Sequence, residues 1–147
     1  MKKFVFALLL VATGMIMLQT QPVFASDAKS DSNLIGTWKM TQNATDSAGK
    51  PCPFVPETFD FYVGQKVALS NFRGGQLPYK TTVSKEEREI IESRTPELKG
   101  KSLLLIKPNP NMGWTNTPMI YAYSINKNEL TLILQGYNPA KFMKANK

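Results

Sequence analysis

The chain has 147 residues, with 18 Lys and Arg side chains against 11 Asp and Glu, and a formal net charge of +7. It contains a single cysteine, Cys52, and no histidine. These counts exclude an intramolecular disulfide, a Ser-His-Asp or Cys-His catalytic site and an imidazole-based zinc site. The basic residues are scattered, which indicates a solvated surface, so nucleic acid is not an expected partner. We predict no metal site and no cofactor.

Residues 1–25 have the pattern of an export signal peptide. Lys2 and Lys3 supply the positive start, an apolar stretch runs from Phe4 to Leu18, and Val23-Phe24-Ala25 offers small residues for cleavage. The apolar stretch is shorter than the roughly 20 residues that a spanning helix needs. We therefore expect no stable membrane anchor, with a retained anchor as the less favoured alternative.

The chain after this signal is expected to work in a bacterial periplasm or outside the cell. Residues 26–33 are polar and are predicted to form a disordered lead-in. Residues 34–147 have the length of one domain with a core of its own. Cys52 would be a free thiol in an oxidising compartment, and two outcomes stay open: a buried or tolerated thiol, or a disulfide with another chain.

Short segments with alternating apolar and polar residues follow, separated by turn-forming residues, which predicts an all-β domain. The predicted strands are 34–41, 58–63, 66–71, 79–83, 102–107, 118–125, 129–135 and 140–144. The segment 102–107 is apolar throughout, so we expect it to be buried on both sides. About eight sequential antiparallel strands favour a closed up-and-down barrel over an open sandwich, because closure removes exposed strand edges.

One short helix, 85–94, is predicted in the middle of this pattern. Ser84 and Glu87 have the spacing of a capping box, in which each side chain satisfies the other's backbone amide. Four glutamates alternate with basic residues along the helix, which favours a solvated face over an acidic metal or catalytic cluster. Ile90 and Ile91 are its apolar residues, so we expect the helix to lie against the domain as a lid or brace.

The segments that carry a family resemblance are Leu34-Ile35-Gly36-Thr37-Trp38 and the Tyr/Leu hairpin from Tyr123 to Leu132. Placed at the start of the domain, the first segment resembles the Leu-x-Gly-x-Trp signature of bacterial lipocalin-like (calycin-type) domains. The resemblance implies that Gly36 bends the first strand into a barrel and that Trp38 covers the closed end. It also implies that a basic side chain of the last strand, either Lys141 or Lys144, stacks on Trp38.

An eight-stranded barrel has room for packed side chains or for one small ligand. We expect an exported lipocalin-like protein that binds a small hydrophobic or amphiphilic ligand, such as a lipid, inside the barrel. The predicted ligand-binding residues are Phe59, Phe61, Trp114, Tyr121 and Tyr123. For each of these aromatic residues the alternative is that it simply fills the core.

The alternative function is a loop-presenting interaction protein, such as a hydrolase inhibitor or an envelope assembly factor, with a filled barrel. Its protein partner would bind the loop 108–118, which carries Met112 and Trp114 among turn-forming residues. An enzyme is not expected. Glu57 and Asp60 are close in sequence, but both fit surface positions beside a strand, and no partner base is identifiable.

Overall fold

The computed structural model describes residues 31–107 and 117–146. Three predicted features lie wholly or partly outside this range: the export signal, residues 26–30 of the lead-in, and residues 108–116 of the partner-binding loop, with Met112 and Trp114. The described strands are β1 (Gly36–Gln42), β2 (Thr58–Tyr62), β3 (Lys66–Leu69), β4 (Gln76–Lys80), β5 (Ser102–Ile106), β6 (Met119–Asn126), β7 (Glu129–Ile133) and β8 (Ala140–Lys144). The described helices are α1 (Lys85–Arg94) and two short 3-10 helices, Ser32–Leu34 and Pro96–Leu98.

The eight strands form a closed barrel in chain order, with antiparallel pairing throughout. Closure occurs where β1 pairs with β8, and Trp38 is the register partner of Phe59 on β2 and of Lys144 on β8. A register shift lies between Met40 and Gln42. The predicted up-and-down barrel is therefore confirmed.

The up-and-down course divides the connections between two ends of the barrel. The open end, as we name it, holds the β1–β2, β3–β4 and β7–β8 connections, with the last residue of β5 and the first of β6. The closed end holds the β2–β3 and β6–β7 turns, the start of β1 and the connection that contains α1. The 3-10 helix Ser32–Leu34 directly precedes β1, so it also lies at the closed end.

β4 begins and ends three residues earlier than predicted, because Pro78 lies inside this strand rather than before it. Proline lacks a backbone donor and is rare inside strands. Here the neighbouring groups complete the ladder: Tyr79 N donates to Gln65 O at 2.9 Å, and Pro78 O accepts from Lys107 N at 2.9 Å. The strand therefore continues through the proline.

β5 is buried on both faces, as predicted. Leu104 and Ile106 belong to the cluster inside the barrel, whereas Leu103 and Leu105 pack outside it with a second cluster. That outer cluster includes Ile91 of α1, so the helix covers the outside of the barrel and acts as the predicted brace.

The bounds of α1 agree with the prediction, but only one of the two hydrogen bonds of the predicted capping box forms at its N-terminus. Ser84 Oγ accepts a hydrogen bond from Glu87 N at 3.1 Å, as a capping box requires. The Glu87 carboxylate binds Lys80 Nζ on β4 at 2.7 Å, rather than returning to the Ser84 amide. The helix is thus tied to the barrel by an ion pair that the local sequence pattern did not indicate. None of the described helices is long and apolar enough to cross a membrane.

Candidate functional site

The closed end is sealed around Trp38, which is fully buried. Its Nε1 donates to Leu34 O at 2.6 Å, and Lys144 Nζ lies 5.2 Å from the ring centroid. Of the two basic residues considered from the sequence, Lys144 is therefore the one that lies over the ring. Gly36 has φ of +125°, and a Cβ there would lie 2.9 Å from Lys144 Cε. The glycine thus provides both the bend and the space for the lysine stem.

Tyr123 fastens the start of the described chain to the same end. Its hydroxyl donates to Asp31 Oδ2 at 3.0 Å, and Asp31 N donates to Thr81 Oγ1 at 3.0 Å. Burial, followed by the hydrogen bond to Asp31, raises the pKa of Tyr123. The phenol therefore stays neutral and serves as a donor.

The predicted ligand-binding aromatics of the described chain come together inside the barrel, where they pack on one another. Phe59 stacks on Phe61 with ring centroids 5.6 Å apart and meets Tyr121 edge-on at 6.3 Å. Further edge contacts join Phe61 to Tyr79 at 5.0 Å and Phe59 to Phe142 at 5.2 Å. These rings fill the middle of the barrel. Sequence reasoning missed Tyr79 and Phe142 as members of the group.

The open end carries a small apolar recess of about 30 Å³. The residues that line it are Pro53, Phe54, Leu69, Asn71, Phe72, Leu77 and Met119. A cavity of this size holds about one water molecule or one methyl group, whereas pockets for drug-sized ligands measure roughly 300–1,000 Å³. Of the four predicted ligand-binding residues that the structure describes, Phe59, Phe61, Tyr121 and Tyr123, none lines this recess.

Tyr121 connects the aromatic interior to the recess. Its hydroxyl donates to Phe54 O at 2.9 Å and approaches Met119 Sδ at 3.6 Å. Burial raises the pKa of Tyr121, so its hydroxyl keeps its proton and holds the long β1–β2 connection over the open end. Cys52, in the same connection, is buried and its N donates to Ala44 O at 2.8 Å.

The acidic residues considered for catalysis lie apart from this recess. Asp60 Oδ1 accepts from Thr37 Oγ1 at 2.5 Å on the barrel wall, and Glu57 is exposed. Over residues 31–107 and 117–146, no group of three or more His, Cys, Asp or Glu side chains is placed to hold a metal ion.

Comparison with models of known protein families, with curated proteins and with solved structures gives no match for this chain. Function is therefore inferred from the barrel, its filled interior and its open end.

Proposed function

We propose that this chain is an exported, lipocalin-like barrel that binds a small hydrophobic group at its open end. The observation that carries this proposal is the apolar recess above a barrel interior already filled by aromatic side chains. The closed barrel and the Trp38–Lys144 contact support the lipocalin-like part. The signal-like residues 1–25 support export.

The volume of the recess limits what can enter. About 30 Å³ admits the end of an alkyl chain or a branched methyl group, not a whole lipid. Deeper entry requires movement of Phe72 or Met119, which are only partly buried and pack at the edge of the core. Methionine adapts its shape readily to different apolar partners. Binding would draw on burial of apolar surface, at about 25 cal/mol per Å².

The test uses the mature chain purified from its own envelope. Native mass spectrometry before and after solvent extraction detects a carried molecule, and titration with fatty acids of increasing length detects uptake. If uptake requires a short alkyl group at the end of the fatty acid, the result supports binding in the recess. A clean apo mass together with no uptake from the whole series contradicts it.

A matched pair of variants locates the binding. Met119→Trp fills the recess and is expected to weaken uptake by about tenfold or more, since the alkyl group loses its buried surface. Met143→Trp places the same side chain on an exposed position of β8 and is expected to leave uptake unchanged. Equal uptake by both variants would place the ligand elsewhere.

A second candidate function, recognition of a protein partner, is favoured by Phe54. This ring is 56% exposed at the rim of the recess, beside Pro53. An exposed aromatic at the edge of an apolar depression suits an anchor in a protein interface. Chemical cross-linking in the native envelope, with Phe54→Ala as the variant, tests this. A captured protein that is lost in Phe54→Ala, without any fatty acid uptake, would favour this candidate over ligand carriage.

A further inference from the structure

We propose that a second cleft, on the outside of the barrel, binds a single pyranose ring of a neutral glycan. The cleft has a volume of about 360 Å³ and lies between three chain segments. These segments are the β1–β2 connection, the 3-10 helix Pro96–Leu98 and the β7–β8 turn. Among residues 31–107 and 117–146, the cleft and the apolar recess share no lining residue, so this inference is independent of the proposed hydrocarbon binding.

Hydrogen bonds between these three segments form the cleft in advance. Gly136 N donates to Glu97 Oε2 at 3.2 Å, which joins the turn to the 3-10 helix. Asn138 N donates to Thr45 O at 2.8 Å, which joins the turn to the β1–β2 connection. A ligand therefore meets a shaped site, and little ordering of loops opposes its binding.

Tyr137 gives the cleft an aromatic wall. The residue is partly buried and packs against the barrel core. The nearby Cys52 side chain raises the pKa of Tyr137, so the phenol stays neutral. Ile133 and Leu134 extend the apolar wall. A pyranose presents an apolar C–H face that packs on such a surface, while its hydroxyl groups stay free for polar partners.

The polar side chains of the cleft match those hydroxyl groups. Glu97 supplies a carboxylate acceptor, Asn138 an amide that both donates and accepts, and Ser47 a hydroxyl that does the same. None of the described residues that line the cleft is Lys or Arg, so a phosphate or carboxylate ligand would find no opposite charge there. A neutral polyol with one apolar face fits this set better than an anion does.

The test is an NMR titration of the mature chain, followed through its backbone amide signals. The probes are methyl glucopyranoside, methyl galactopyranoside and methyl N-acetylglucosaminide, with acyclic sorbitol and n-butylamine as comparators. Because the site is open and the ligand has few atoms, dissociation constants of about 1–10 mM are expected. The shifted amides should belong to Ser47, Glu97, Gly136, Tyr137 and Asn138.

Two variants separate this site from a folding effect. Ser47→Trp fills the cleft from an exposed loop and is expected to weaken pyranose binding about tenfold. Val63→Trp, at a position 81% exposed on the opposite end of the barrel, is the matched control and should bind as the unchanged chain does. Equal binding by both variants would overturn the assignment.

Glu97→Gln separates a sugar from a cation. The amide keeps an acceptor for Gly136 N and for a hydroxyl group, so pyranose binding should change by no more than about threefold. If butylamine binds through the Glu97 carboxylate, the Glu97→Gln variant should lose butylamine binding. Shifts caused by butylamine but by none of the pyranosides would overturn the proposal in favour of a cation site. No shift at about 100 mM of any pyranoside would overturn it outright.

Discussion

Lys144 Nζ lies 5.2 Å from the centroid of the Trp38 ring, and the two residues are register partners across the β1–β8 pair that closes the barrel. The same lysine donates from Nζ to Asn33 O at 3.3 Å, and Trp38 Nε1 donates to Leu34 O at 2.6 Å. The Trp38–Lys144 pair therefore stabilises both the β1–β8 pairing that closes the barrel and the segment that precedes β1. The Gly-x-Trp segment and the lysine of the last strand therefore act as one structural unit, in which Gly36 leaves space for the Lys144 stem and Trp38 lies under its ammonium group.

Replacement of Trp38 should destabilise the whole barrel. Trp38→Ala is expected to lower the free energy of unfolding by about 3–5 kcal/mol, the usual cost of truncating a buried tryptophan. Urea denaturation followed by circular dichroism measures this cost. A loss under about 1 kcal/mol would contradict the role given to Trp38 and the family resemblance built on it.

Removal of the Lys144 charge should have a smaller, specific effect. Lys144→Met keeps an unbranched stem over the ring but removes the ammonium group, so a loss of about 0.5–1 kcal/mol in unfolding free energy is expected. Lys141→Met is the matched control, because Lys141 pairs with Glu129 across the surface at 3.6 Å. Its effect should be the smaller of the two. The reverse order would contradict the stabilising role given to the cation over Trp38.

Two adjacent isoleucines of α1 test the role of the helix as a brace. Ile91 is 7% exposed and packs with Leu98 and Leu103, whereas Ile90 is 54% exposed. Ile91→Ala is expected to cost about 2–4 kcal/mol of unfolding free energy. Ile90→Ala should change it by less than about 0.5 kcal/mol. Similar losses in the two variants would mean that the helix does not dock through Ile91.

The sequence predicts those parts of the fold that depend on local patterns. The cap at Ser84 and the helix-breaking Pro96 delimit α1, and alternating residues mark strands such as β2 and β7. The burial of β5 on both faces follows from its unbroken apolar run. The predicted bounds of β4 are wrong because the hydrogen bonds that continue the ladder through Pro78 involve Gln65 and Lys107, which lie far from it in the chain.

The open-end recess and the outer cleft could not be predicted in the same way. Phe54 and Phe72 lie in connections without hydrophobic periodicity, so no pattern distinguishes them from other loop residues. The cleft combines Ser47, Glu97 and Tyr137, which only the closed barrel brings together. Whether the interior is filled depends on how ring volumes pack in three dimensions, and aromatic content alone does not decide it.

Glu92 should stabilise the fold at neutral pH and lose this effect in the acidic range. Its carboxylate accepts from Gly100 N at 3.1 Å and pairs with Arg88 at 3.2 Å, and these contacts lower its pKa below the usual 4.5. A lowered folded-state pKa means that the stabilisation is present above pH 4.5 and is lost as the pH falls below it. Glu92→Gln should therefore flatten the fall in Tm between about pH 5 and pH 3. Glu89→Gln, whose carboxylate is exposed and 3.9 Å from Lys85, should keep the full slope.

Tyr121 should show the opposite pH dependence, because its pKa is raised by burial above the usual value of about 10. The stabilisation that Tyr121 contributes is complete below pH 10. It is lost as the pH rises further, because the phenol ionises at a lower pH in the unfolded chain than in the folded one.

At pH 7, Tyr121→Phe is expected to lower the free energy of unfolding by about 1–2 kcal/mol, because Phe54 O loses its donor. Phenylalanine cannot ionise, so this difference should shrink as the pH rises above about 10. Urea denaturation at pH 7 and pH 11 measures both quantities, with Tyr62→Phe, 42% exposed, as the control. A difference that is equal at both pH values would show that the Tyr121 hydroxyl does not hold its proton inside the barrel.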